Sequence, residues 1–185
     1  MQRYHTVGMH AVSLVAEQAT VRNLARDEHL ASSGTPDQCE YFLLKGILHR
    51  HVLDPSGERV TSAFHVEGST ITPHFARTVN GRSMFDLQAL EPSQIAAVPV
   101  ATFDSLRYAH EDLRVFGLKV VEQELIGTIR QAVSFRERSA RDRLIDFRVE
   151  FPGLENRISH AVIASYLGIT PVSFSRLRKE LARAH

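Results

Sequence analysis

Between residues 22 and 103 the apolar positions come in short runs, each closed by a turn signal. Residues 41–44 (YFLL) end at Lys45 and Gly46. Residues 47–53 (ILHRHVL) end at Asp54, Pro55, Ser56 and Gly57, and residues 60–66 (VTSAFHV) resume before Glu67 and Gly68. Two such runs joined by a four-residue turn with Pro and Gly predict a hairpin. Residues 83–90 and 94–100, on either side of Glu91, Pro92 and Ser93, predict a second pair. Strands at this spacing predict a β-sandwich or roll, not alternating β-α units. Residues 8–17 predict a short leading helix.

The pattern changes at Asp104. No proline occurs from there to Phe135, and Leu118, Val121, Leu125, Ile129 and Ala132 recur at steps of three and four. That is the spacing of one helical face. Phe116 and Val120 lie off this stripe, where they can rest on the β domain. A helix of roughly 30 residues spans about 45 Å, more than so small a domain needs for itself. Its apolar stripe therefore calls for a second surface, and a copy of the same chain is the simplest. Gly117 and Gly127 weaken such a helix, and the approach of another backbone, or a bend at Gly127, would account for them.

Ser139, Ala140, Arg141 and Asp142 form a capping-box pattern with Asp in place of the usual Glu. They open a helix that Pro152 and Gly153 stop, so residues 135–139 are the expected hinge before a C-terminal domain. Within that domain, residues 158–181 (ISHAVIASYLGITPVSFSRLRKEL) carry the sharpest signal. Ser159 can cap a helix running to Leu167, and Gly168 supplies the left-handed residue that ends it. Thr170 can cap the next helix, with Pro171 in its first turn. Ala164 is small where two helices must cross. Ile163, Leu167, Ile169, Phe174 and Leu177 supply the apolar contacts. Two helices joined by a tight turn are the form of a DNA-binding helix-turn-helix. Thr170, Pro171, Val172, Ser173 and Arg176 would face the major groove, with Arg176 suited to a bidentate contact with guanine. Ser159, Thr170, Ser175, Arg178 and Lys179 would meet phosphates.

Charge sharpens this reading. The net charge of +1 is uninformative, but residues 1–135 hold 12 Lys/Arg against 15 Asp/Glu, and residues 136–185 hold 10 against 6. A basic end on an acidic chain is the footprint of a nucleic-acid-binding tip. Composition bounds the rest. The 185 residues, 43% hydrophobic, suit one or two small domains. No apolar run reaches 18 residues, and the N-terminus lacks the basic flank and apolar core of a signal peptide. Cys39 is the only cysteine, which excludes an intrachain disulfide and a cysteine-ligated iron–sulfur cluster. These features point to the cytoplasm.

In their order along the chain, these segments resemble the Crp/Fnr superfamily, the cyclic-AMP receptor protein and its relatives. Residues 22–28 (RNLARDE), 41–46 (YFLLKG), 53–58 (LDPSGE) and 89–93 (ALEPS) resemble its β-roll. Residues 104–135 resemble its dimerisation helix, and residues 164–181 its DNA-reading head. The resemblance implies an α+β fold: a jelly-roll-like β-roll sensor domain over 1–103, a dimerisation helix over 104–135, and a helix-turn-helix domain of winged-helix type over 136–185. It implies a homodimeric transcription regulator with double-stranded DNA and RNA polymerase as partners, and no membrane. The chain departs from the family's pattern at two places. Pro171 and Val172 stand where well-known members carry Arg and Glu, so only Arg176 carries over as a base reader. Residues 68–84 lack the Gly-Glu pair that holds the ribose of a cyclic nucleotide and offer only Arg82 and Ser83 for its phosphate. Cyclic nucleotide is therefore not expected, and no other cofactor is implied.

The histidines raise a rival reading. His49 and His51 are two apart on a predicted strand and share a face, an arrangement similar to that of metal-binding cupins. Glu58, His65 or His74 would have to complete that site. The spacing to Glu58 is too long and crosses a turn, so the simpler expectation is two solvent-facing strand histidines and no metal. Haem has no local signature. No nucleophile elbow and no Gly-rich phosphate loop is present, so no enzyme is expected.

Overall fold

The computed structural model describes Met1 and residues 3–183. The chain divides into two compact units, residues 1–51 with 64–126, and residues 52–63 with the chain from 127 onward.

The first unit opens with α1 (Met9–Glu17), followed by β1 (Thr20–Leu24), β2 (His29–Ala31), β3 (Cys39–Lys45), β4 (Ile47–Leu53) and β5 (Arg59–Val66). A one-turn helix, α2 (His74–Arg77), precedes β6 (Thr78–Val79), β7 (Arg82–Ser83), β8 (Asp86–Ala89) and β9 (Ser93–Pro99). One sheet has the order β1-β9-β3, a second β2-β8-β4-β5, and β6 pairs with β7. The sandwich core between the sheets holds Leu43, Leu48, Ile71, Leu87 and Ile95, each 1% exposed or less. The expected hairpin of residues 47–66 is the β4–turn–β5 segment. The expected second pair is corrected: β8 and β9 lie in different sheets, β8 between β2 and β4, and β9 between β1 and β3. Both are central strands, so both read as apolar runs in sequence, and periodicity does not distinguish pairing with each other from pairing with separate neighbours. The chain also changes sheet between β3 and β4, at Gly46. Its φ is +97°, and a Cβ there would lie 2.2 Å from Ser93 Oγ and 2.8 Å from Ser93 Cα, so only glycine fits.

Two helices follow, α3 (Val100–Ala109) and α4 (Glu111–Glu137). The single helix expected from Asp104 is thus broken at His110, which is extended (φ −127°, ψ 116°). No proline marks this break. Tertiary contacts hold it: the His110 ring packs edge-on against His10, and Asp112 Oδ2 accepts the Gly8 N–H at 3.0 Å. Phe116 and Val120 are buried with Val7, Ala11, Val15, Phe42, Val98 and Phe103, as their position off the stripe predicts. Leu118, Leu125 and Ile129 are more than half exposed, Ala132 is exposed and Val121 is half-buried. Gly117 meets the Arg107 side chain rather than another backbone, and Gly127 faces open space in an unbroken helix.

In the second unit come α5 (Ala140–Glu150), a 3-10 turn (Leu154–Asn156), α6 (His160–Tyr166) and α7 (Pro171–Arg183). Among the described residues no strand lies beyond Glu137. Ser139 caps α5 by accepting the Asp142 N–H at 3.2 Å, and its hydroxyl donates to Asp142 Oδ2 at 2.7 Å. Leu144, Phe147, Leu154, Ile163, Leu167 and Phe174 are buried. The tip of the β4–β5 hairpin belongs to this unit. Ser165 of α6 accepts the Thr61 N–H at 3.0 Å and donates to Arg59 O at 2.9 Å.

Candidate nucleic-acid interface

The helix pair α6–α7 is set by local chemistry. Ser159 Oγ accepts the Val162 N–H at 3.3 Å, and Thr170 Oγ1 accepts the Ser173 N–H at 3.1 Å. Each bond satisfies one of the unpaired donors at a helix start. Gly168, at φ +65°, makes the left-handed turn between them. A Cβ at Gly168 would stand 2.8 Å from Phe135 Cε1, so the turn is also closed sterically against any larger residue. Ala164 is fully buried where the helices cross, and Phe174 beneath α7 is packed by the His160 ring at 5.3 Å.

This packing turns one face of α7 outward. Pro171, Val172, Ser175, Arg176, Lys179, Glu180 and Arg183 line a single shallow depression. Residues 172, 176, 179 and 183 are spaced three and four apart, so they share a face. Val172 is 79% exposed, an apolar contact at the start of the helix with nothing covering it. Arg176 and Lys179 are exposed and, among the described residues, no carboxylate pairs with them. Ser159, Thr170 and Ser175 are exposed near the helix starts, although Ser159 and Thr170 already serve as caps. Ser173 is half-buried, and its hydroxyl accepts from Thr170 at 3.1 Å.

Arg178 sits differently. Its guanidinium is bonded to Glu155 Oε1, close to His160 Nδ1, and stacks over the Phe174 ring. Glu155 is also clamped by Arg148, Nε to Oε2 at 2.7 Å and Nη2 to Oε1 at 3.1 Å. Burial pushes the Glu155 carboxyl up, but the two arginines together bring it below its ordinary value. Glu155 thus joins α5, the 3-10 turn and α7. Sequence reasoning missed this set because Arg148, Glu155 and Arg178 lie on three separate elements, the first two divided by Pro152 and Gly153.

The β-roll side chains named from the sequence have structural occupations. Arg82 donates to Gly34 O at 2.7 Å, and Ser83 is buried and donates to Phe85 O at 2.7 Å. The buried cation is instead Arg77, 0% exposed and not singled out by the sequence. Its guanidinium meets Asp37, Glu40, Thr72 O and Cys39 O and lies over the Tyr41 ring at 4.7 Å. His49 and His51 do share a face, but they are corrected from solvent-facing to buried, 1% exposed each, with rings stacked at 4.5 Å. Glu58 is exposed on the hairpin turn, and His74 is turned to Asp37 O at 2.8 Å, so neither completes the cupin-like set. His65 is fully buried, and burial first, then the charges of Arg50 and Arg77, push its pKa down to about 3.

No protein-family model matches the chain. Curated relatives do. The chain is 24% identical over 163 residues to the regulatory protein HlyX of Actinobacillus pleuropneumoniae, covering 82% of this chain and 67% of that one. It is 25% identical over 174 residues to the global nitrogen regulator of Synechocystis, covering 87% and 77%. Among solved structures, FixK2 from Bradyrhizobium japonicum superposes with a TM-score of 0.80 at 18% identity, over 90% of this chain and 85% of that one.

Proposed function

The chain belongs to the Crp/Fnr superfamily of transcription regulators, and from that premise we propose that it acts as a homodimer that reads double-stranded DNA through α7. The observation that carries the reading is the capped α6–turn–α7 pair with Val172, Arg176 and Lys179 exposed on one face. Arg176 reads a guanine edge, and Val172 offers an apolar contact to a thymine methyl. Ser159, Thr170, Ser175 and Lys179 hold phosphates and fix register. Pro171 and Ser173 shape the start of the helix. Arg178, committed to Glu155, supports α7 and contributes to the local field.

Leu118, Val121, Leu125, Ile129 and Ala132 form the dimer seam of α4. A solvent-facing apolar row on a charged helix is what a second copy covers. Two reading heads then meet half-sites about 10 bp apart. RNA polymerase is the expected protein partner of such a regulator. No helix among the described residues is long and apolar enough to cross a membrane, in keeping with a cytoplasmic site of action.

Cyclic nucleotide stays outside this reading: residues 68–84 lack the Gly-Glu pair for the ribose, and the buried Arg77 is paired with Asp37 and Glu40.

The test is selection of bound fragments from fragmented genomic DNA, followed by affinity measurements across a salt series. A recurrent two-fold symmetric site is expected, with log affinity falling against log salt at about 0.9 per phosphate contact. Absence of any enriched sequence, or affinity indifferent to salt, would overturn the reading.

A further inference from the structure

Three adjacent strands of the second sheet, β2, β8 and β4, set His29, Asp86 and His51 side by side. His51 is the register partner of Asp86, and His29 pairs with Gln88, two residues from Asp86 on the same face. One nitrogen from each imidazole and one carboxylate oxygen all lie within 4.8 Å of one another. His29 Nε2 is 3.9 Å from Asp86 Oδ1, and His51 Nε2 is 4.0 Å from Asp86 Oδ2. Both distances exceed a hydrogen bond, so the imidazoles converge on the carboxylate without donating to it.

From this juxtaposition we infer that His29, His51 and Asp86 are the protein ligands of a divalent first-row transition ion. Two imidazoles and one carboxylate are a donor set for zinc, iron, cobalt or nickel rather than for magnesium or calcium. A tetrahedral ion with bonds near 2.0–2.1 Å places neighbouring ligands about 3.4 Å apart, so separations that reach up to 4.8 Å must close by up to about 1.4 Å, through side-chain rotation about the fixed strands. Three protein ligands leave the fourth position to water or an exogenous ligand.

The surroundings hold the ligands in place. The His51 ring is stacked on His49, whose Nε2 lies 3.2 Å from Gln88 Oε1. Asp86 Oδ1 accepts the Ser33 N–H at 3.3 Å. Such outer contacts orient metal ligands. Exposure is graded across the set: the side chains of His29, Asp86 and His51 are 35%, 16% and 2% exposed. The ion would approach past His29 and rest on the dry floor made by His51. This ligand set differs from the cupin-like one, which needed Glu58 or His74, and it stands independently of DNA binding.

The experiment uses the full chain stripped with chelator and titrated with Zn²⁺ by calorimetry and with Co²⁺ by visible absorption. One equivalent per chain is expected, with the intense absorption of four-coordinate cobalt and a rise in Tm on adding zinc. His29→Gln and Asp86→Asn should each weaken binding by more than about 100-fold, since loss of an outer-shell partner alone costs 10–100-fold. Their metal-free Tm should match that of the parent chain, and His29, part-exposed, keeps the test open if Asp86→Asn folds poorly. His10→Gln with His110→Gln removes an imidazole pair outside the ligand set, whose rings are 6.0 Å apart, and should leave binding unchanged. No stoichiometric metal, binding retained in both ligand variants, or binding lost with the His10/His110 pair would each overturn the assignment.

Discussion

Arg77 grips Asp37 through two parallel contacts, Nε to Oδ2 at 2.8 Å and Nη2 to Oδ1 at 3.1 Å, with both side chains wholly withdrawn from solvent. Glu40 adds a second carboxylate at 3.4 Å from Nη1. Burial drives the Asp37 carboxyl up, yet the hydrogen bonds and charge of Arg77 outweigh it and leave Asp37 below its ordinary value. On Glu40 burial wins and the pKa is raised. Removing Arg77 strands both acids. Arg77→Met should cost about 3–5 kcal/mol in urea unfolding at pH 7, the usual penalty for breaking a buried pair from one side. A loss below about 1 kcal/mol would contradict this account.

His65 gives the fold an acid-sensitive limb. Held neutral down to about pH 3 by burial, it binds no proton in the folded chain where the unfolded chain, at about 6.5, does. Stability from this group is complete above about pH 6.5 and declines as pH falls towards 3, by up to about 4–5 kcal/mol. Its Nε2 has no hydrogen-bond partner among the described residues, so His65→Leu should be nearly neutral at pH 7 and flatten that limb. Unfolding curves from pH 4 to 7 with the same slope in both proteins would refute it.

Two arginines on α7, two residues apart, should fail in different ways. Arg176→Ala should leave Tm unchanged and weaken specific DNA binding by about 1–3 kcal/mol, with relaxed preference at one base position. Arg178→Ala should lower stability by about 1 kcal/mol, a figure discounted because Arg178 is 36% exposed. Its effect on DNA should be alike for all sequences. Binding to a panel of single-base variants separates the two.

Glycine substitutions test the backbone argument. Gly168→Ala combines a left-handed φ with a 2.8 Å approach to Phe135 and should destabilise the chain by about 2 kcal/mol or more. Gly127→Ala, in helical backbone facing open space, should stabilise by about 0.5–1 kcal/mol. Thermal unfolding of both gives the signs directly.

The α4 seam is tested by charge. Leu125, 58% exposed in the single chain, loses little when changed to glutamate in a monomer but places two like charges together across a pair. Leu125→Glu should convert the protein to monomer in sedimentation at micromolar concentration and, with it, abolish tight operator binding. A parent chain that sediments as a monomer would exclude the seam.

What the sequence by itself determined were the features governed by neighbours a few residues apart. The bounds of β4, the Ser139 and Ser159 caps, the Gly168 turn and the burial of Phe116 and Val120 all follow from spacing and side-chain chemistry within one or two turns of chain. Tertiary structure alone decided the rest. β8 and β9 are sent to different sheets by long-range pairing, His110 breaks a helix under contacts from His10 and from the Asp112–Gly8 bond, and Arg178 is drawn to Glu155 rather than left to solvent. His29, His51 and Asp86 lie on strands far apart in sequence and meet only because β8 runs between β2 and β4. Periodicity encodes which face of an element is buried, but not which distant element buries it, because that depends on contacts whose sequence separation no local pattern records.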